Sequence, residues 1–366
     1  MTMTTPPFAC TTTASTTPRT DAERAAILAD PGFGNHFTDH MFLAEWTPQD
    51  DWSDARVVPY GPLQLDPATA VLHYAQEIFE GLKAYAHADG SVWLFRPEAN
   101  AARLQRSAQR LALPALPEDW FVGSIEALVG ADRAWVPEGG ESSLYLRPFM
   151  FASEVFLGVR PSQHVTYSVI ASPAGAYFPG GVKPVSIWLS EEYARAGAGG
   201  TGAAKCGGNY AASLLPQQEA IAEGCQQVAF LDSAEHRWVE ELGGMNLYFV
   251  QSDGSIVTPA LSGTILEGIT RESILTIARD LGHEVVERKV SIDEWREGVA
   301  DGTITEVFAC GTAAVVTPVG TLKWRGGEAT AGHGEPGKVT LDIRSALVDV
   351  QYGRAEDRHG WMRRVA

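Results

Sequence analysis

The stretch GAGGTGAAKCGGNYAAS, from Gly197 to Ser213, holds one charged side chain, Lys205, among glycine, alanine and cysteine. Between Arg195 and Glu219 no other residue is charged. A lysine in such surroundings, with no carboxylate near it in sequence, loses solvation, and this favours its neutral amine. That amine is the form that attacks an aldehyde to make a Schiff base. The glycines let backbone approach a bulky planar ligand. A solvated lysine on a flexible loop fits the composition equally well. Gly197, Gly199 and Gly202 also match GxGxxG, but a dinucleotide fingerprint follows a strand directly and opens a helix. Here the polar run Glu191 to Arg195 intervenes, and more glycines follow Lys205.

Outward from this loop, strands and helices alternate. Before it, Gly81–Ala86 and Ser91–Phe95 flank an Asp89-Gly90 turn, and Pro97 opens a helix to about Leu111. Strands are expected at Ser143–Phe151 and His164–Ala171. Alternation along the first puts Tyr145, Arg147 and Phe149 on one face. The Gly- and Pro-rich SPAGAYFPGGVKP, residues 172–184, reads as an interdomain connection. After it come strands at Val185–Leu189, Val228–Leu231, Leu247–Val250 and Ile304–Cys310. Helices are expected from Thr270 to Leu281, after the capping box Ser291 to Glu294, and from Lys338 to Val350. The reading is mixed α/β with two domains: a smaller N-terminal domain at residues 21–172 and a larger one at 185–366, with a cofactor cleft. The Thr-rich residues 1–20 read as a disordered tail.

The chain has 366 residues, a net charge of −17 and four cysteines. The acidic balance disfavours a nucleic-acid or acidic-membrane partner. No run reaches the roughly 20 apolar residues of a membrane helix. Cys10, Cys206, Cys225 and Cys310 form no CxxC pair, so reduced thiols and a cytoplasmic setting are expected, with no metal site.

GGTGAAKCGGNYAAS is similar to the lysine motif of branched-chain aminotransferases of fold type IV. The resemblance runs from FGNHFTDHMFLAEW at Phe33 to QYGRAEDRHGW at residues 351–361, with several motifs in order. It implies pyridoxal 5′-phosphate as cofactor, Lys205 as its Schiff-base partner and proton shuttle, and Tyr210 as the hydrogen-bond partner of its phenolic oxygen. Glu241 begins E-x-G-x-M-N and by resemblance contacts the pyridine nitrogen; Gly244 stands where many members have Thr. Ile269 and Thr270, at a helix start, and Thr312, in the turn Gly311 to Ala314, would grip phosphate, with Ala313 near the substrate carboxylate.

Arg103, in NAARLQRSAQRLALP, matches the family's phosphate-binding arginine, whereas Arg106 and Arg110 read as a solvated face. In HYAQEIFEGLKAY and LYLRPFMF, Tyr74, Phe79 and Tyr145, with Tyr177, match an apolar substrate pocket, and Arg147 would receive the distal carboxylate of glutamate or 2-oxoglutarate. A structural salt bridge is the plainer reading of Arg147. Ala314 and Thr317 stand where some members carry a redox CxxC. The implied activity is reversible amino transfer between L-leucine, L-isoleucine or L-valine and 2-oxoglutarate, by a homodimer. A D-amino-acid aminotransferase or aminodeoxychorismate lyase would share the lysine, a nicotinamide dehydrogenase would use the glycine loop instead, and a non-catalytic ligand-binding protein would need few of these contacts.

Overall fold

A computed structural model describes residues 7–176 and 181–365. The chain divides into two compact units. Of the described residues, the first takes 7–176 together with 204–207 and 350–365; the second takes 181–203 and 208–349. The expected division at 172–184 is therefore incomplete, because two later segments return to the first unit. The lysine segment is one of them.

The first unit is built on a sheet whose strands run, side by side, Thr11–Thr12, Asp51–Pro59, His40–Thr47, Val165–Ala174, Ser143–Ala152, Leu82–Ala86, Val92–Phe95 and Met362–Val365. Glu77–Phe79 adds to Ser143–Ala152, with Phe79 opposite Phe149. The helices Pro97–Arg110 and Glu118–Ala131 pack together, the second also against the sheet. Pro97 suits the first helix because its missing N–H has no intrahelical partner there. That helix buries Ala101, Leu104 and Ala108, and on the same side Asn100, Arg103 and Ser107. Arg106 and Arg110 are exposed, as expected of a solvated face.

In the second unit the neighbours are Val239–Leu242, Gln227–Leu231, Val185–Ser190, Val315–Trp324, Ile304–Gly311, Asn246–Gln251, Ile256–Pro259 and Val285–Arg288, with Gly327–Thr330 beside Val315–Trp324. Val239–Leu242 also pairs with Asn246–Gln251 through Glu241 opposite Asn246, which closes the strands between them into a ring. Leu189, Ala229, Leu247, Phe249, Val307 and Val319 are among its apolar core. Helix Ile269–Asp280 ends before Gly282 at φ 88°, and Ser291 caps Ile292–Asp301 by accepting from the Glu294 N–H. No helix among the described residues is long and apolar enough to cross a membrane.

The described part of the N-terminal arm is ordered, contrary to the tail expected from its composition. Thr11–Thr12 pairs in parallel with Asp51–Pro59. The Ser15 N–H donates to His40 Nε2 at 2.9 Å, while His40 Nδ1 meets Asp132 at 2.6 Å. The Phe8 ring lies 6.1 Å from Phe42 and 5.8 Å from Trp120, over Gly123, where a Cβ would come within 2.5 Å of that ring. Threonine-rich sequence hides this because the anchors are one aromatic and a few backbone N–H groups. Because Phe8 is partly exposed, Phe8→Ala should cost about 1–2 kcal/mol, less than the roughly 3–5 kcal/mol of a fully buried phenylalanine. A fall of a few degrees in melting temperature would register it, whereas an unchanged value would show that the arm is not anchored there.

Candidate active site

In the first unit, Lys205 is held by its backbone at both sides. Its N–H donates to Ser107 Oγ at 2.9 Å, its carbonyl accepts from the Phe79 N–H at 2.9 Å, and the Gly207 N–H donates to Glu77. A side chain at position 207 would displace that carboxylate. The loop is thus pinned, and the flexible-loop reading falls. Lys205 Nζ stands 4.7 Å from the Phe79 ring centroid.

The neutral surroundings expected from the sequence are corrected by the fold. Glu80, fully buried, is close enough for the Lys205 charge to act on it. Burial alone would push the Glu80 carboxyl up; the charges of Arg103 and Lys205 and the hydrogen bonds from Arg103 and Asn100 overcome this and hold it below the usual carboxylate range. Arg103 Nε and Nη2 each reach Glu80 at 2.8 Å. Neither Glu80 nor Ser107 was a sequence candidate. The signal was present, since Asn100, Arg103 and Ser107 form a polar line on an otherwise apolar helix face.

Along Ser143–Ala152 burial alternates, and Tyr145, Arg147 and Phe149 share the less buried face. Arg147 Nη2 donates to the Tyr145 hydroxyl at 2.9 Å, and its guanidinium lies 4.7 Å from the Phe79 centroid and 5.4 Å from that of Tyr145. Its Nε is buried with no hydrogen-bond partner among the described residues. No structural salt bridge accounts for it there. Burial raises the nearby Glu77 carboxyl, with the Gly207 N–H and Arg147 pulling the other way. Gly81 carries no side chain where a Cβ would strike the Tyr145 hydroxyl. Tyr74 is exposed, its hydroxyl donating to the Leu157 carbonyl. Tyr177 lies outside the described residues.

In the second unit, Glu241 is buried and ion-paired with buried Arg195 at 2.8 Å, while the Leu266 N–H donates to the same oxygen at 2.9 Å. Asn246 Nδ2 donates to the Leu266 carbonyl at 3.0 Å and keeps this seam closed. The cation and the N–H both favour the ionised carboxylate. Gly244 sits where a Cβ would lie 3.7 Å from the Tyr210 ring, and a Cβ on Gly311 would lie 3.3 Å from the Gly244 carbonyl. Tyr210, the Glu241 seam and the Gly311–Ala314 turn are thereby close. Helix Ile269–Asp280 starts after Gly268 without a side-chain cap, and Ile269 and Thr270 are both buried. Its first-turn N–H groups suit an anion. Residues 197–203 form turns rather than a strand-to-helix junction, which rules out the dinucleotide fingerprint. Gly202 is there for packing, since a Cβ would strike the Thr264 carbonyl. Arg195 escaped the sequence reading because its partner is 46 residues away in the chain (241 − 195).

A family model described as "Amino-transferase class IV" matches residues 77–322. The chain belongs to the class IV aminotransferases. This family works with pyridoxal 5′-phosphate; within the second unit the buried Glu241 carboxylate paired with Arg195 suits a pyridinium and the uncapped helix start suits a phosphate, and within the first unit the pinned Lys205 offers an amine. Among relatives of this class IV aminotransferase, the probable branched-chain-amino-acid aminotransferase of Streptomyces coelicolor is 63% identical, covering 95% of this chain and 96% of that one. The branched-chain-amino-acid aminotransferase of Mycolicibacterium smegmatis is 58% identical, covering 98% and 99%. Among solved structures, the T.th. branched-chain amino acid aminotransferase complexed with N-(5′-phosphopyridoxyl)-L-glutamate superposes with a TM-score of 0.73 at 32% identity, covering 88% of this chain and 98% of that one.

Arg195→Met should cost about 3–5 kcal/mol, because it leaves the Glu241 charge buried alone. Adding Glu241→Gln should restore part of the lost melting temperature, and a double variant no better than the single would refute the pairing. For the preceding residue, Glu240, burial raises the carboxyl, with Thr264 hydrogen bonding only partly opposing. In acid, below about pH 4.3, it is protonated folded or unfolded and costs nothing; as pH rises through its elevated value the cost appears. Glu240→Gln should therefore match the wild-type melting temperature in acid and exceed it near pH 7.

Proposed function

We propose that this enzyme transfers the amino group of L-leucine, L-isoleucine or L-valine to 2-oxoglutarate, as a cytoplasmic homodimer. The observation that carries the substrate assignment is the Arg147 guanidinium, half-buried against aromatic faces with an unpartnered Nε. An arginine so placed takes a carboxylate readily, while the rings beside it take an alkyl side chain. One face thereby serves both a dicarboxylate and an apolar amino acid. The relatives' names, and the glutamate adduct in the T.th. protein, support the same pair of substrates.

Lys205, Arg103, Tyr210, Glu241, Ile269, Thr270 and Thr312 would hold the cofactor. When bound, pyridoxal phosphate is an electron sink for the carbanion formed at the substrate α-carbon. Glu241, paired with Arg195 and the Leu266 N–H, would hold the proton on the ring nitrogen that this role requires. Tyr210 offers its hydroxyl to the phenolic oxygen. The amides of Ile269 and Thr270 and the Thr312 turn would bind its phosphate, and Arg103 by resemblance would do the same. Lys205 Nζ takes the α-proton and returns it, as general base and then general acid. Phe79 and Tyr145 would line the alkyl side, and the Ala313 amide would meet the α-carboxylate.

The test is the visible spectrum of purified enzyme. L-leucine should bleach the cofactor band and 2-oxoglutarate should restore it, with no cycle in Lys205→Ala. Cycling with D-alanine and not L-leucine would overturn the substrate assignment. Arg147→Ala should raise the KM for 2-oxoglutarate by about 10- to 100-fold, the worth of one charge-assisted contact of roughly 1.5–3 kcal/mol. The KM for L-leucine should move much less; equal losses for both would show that Arg147 does not read the distal carboxylate.

A further inference from the structure

Glu80 is 0% exposed, where strand Glu77–Phe79 gives way to Leu82–Ala86. Arg103 meets it with both tines of its fork, Asn100 Nδ2 donates at 2.7 Å and the Gly81 N–H at 3.2 Å. A clamp serving only the helix would need no second cation, yet Lys205 is within electrostatic reach of the same carboxylate. The coupling has a backbone cause: Phe79, the residue before Glu80, donates its N–H to the Lys205 carbonyl, and Lys205 Nζ lies against the Phe79 ring. The Glu80–Lys205 approach is thus set by a hydrogen-bonded pair of segments and not by a lysine rotamer alone. The buried Tyr167 hydroxyl, which hydrogen-bonds with Ser124, also lies in the field of Glu80.

We infer that Glu80 is a positioning residue for the reaction, the anion that orients the Arg103 guanidinium and supplies the counter-charge for the Lys205 nitrogen whenever it carries a proton. This rests on the aminotransferase reading above, in which Lys205 Nζ accepts and returns the α-proton. A buried ammonium without an anion is costly, so removing Glu80 disfavours every protonated state of that nitrogen. The carboxylate does not touch the reacting atoms; it acts through Lys205 and Arg103.

The experiment is a pH titration of the visible band of the holoenzyme for wild type, Glu80→Gln, Glu80→Asp and Asn100→Leu, after the wild-type cycle with L-leucine has been recorded. Glu80→Gln should move the midpoint to lower pH by about one unit or more, since the cationic form loses its partner. It should also lower kcat by about tenfold or more with little change in the KM for L-leucine. Glu80→Asp keeps the charge and should restore the midpoint toward wild type. Asn100→Leu removes a donor that disperses the Glu80 charge, so its midpoint should move the other way, to higher pH. That variant keeps the ion pair and tests the inference even where Glu80→Gln does not fold. Midpoints in Glu80→Gln or Asn100→Leu that coincide with wild type, with only the melting temperature lowered, would make Glu80 a purely structural clamp and overturn the inference. Because wild type has already cycled, that outcome leaves the aminotransferase reading intact.

Discussion

One pairing organises the second unit: Glu241 opposite Asn246, across a short glycine-bearing turn. It closes the strand ring and draws a carboxylate out of water. A buried charge of that kind survives only with a partner and further hydrogen bonds. Arg195, the Leu266 N–H and Asn246 supply them, so three distant parts of the chain are tied to one seam. The small residues around it follow. Gly243 and Gly244 make the turn, Gly244 leaves the Tyr210 ring its place, and Gly268 avoids the Asn246 amide, which a Cβ would strike. Chemistry and closure share the same atoms.

The first unit solves a similar problem with a similar device. Glu80 and Arg103 bring an ion pair into an interior that is otherwise apolar, and Asn100 completes the hydrogen bonding. Such pairs add little net stability against an apolar replacement. Their worth lies in fixing where a planar guanidinium and a lysine stand. Both units thus hold their charged groups by partners rather than by water, which keeps them in one arrangement before any substrate arrives.

Much of this was legible in the sequence. Strand and helix cores such as Ser143–Ala152, Pro97–Arg110 and Ile269–Asp280 follow from periodicity and from Pro and Gly at their ends, which are local properties. Lys205, Tyr210 and Glu241 stood out through motif resemblance. What stayed hidden was set by contacts between distant residues. Arg195 marked only the edge of an uncharged run, Glu80 was one of two acids in HYAQEIFEGLKAY, and the threonine-rich arm had no periodicity at all. The return of residues 204–207 to the first unit depends on Ser107, Phe79 and Glu77, whose hydrogen bonds leave no trace in the loop's own composition.

Gly81 gives this arrangement an unexpected consequence. It meets no substrate in the proposed reaction, yet the hydrogen atom in place of its side chain is what allows the Tyr145 hydroxyl to stand beside Arg147. The width of the proposed recognition face is therefore written as a missing methyl group. A change that adds carbon at position 81 would redraw ligand preference from behind the wall, with every lining side chain still in the sequence, and a comparison of chains by their polar residues alone would not register it.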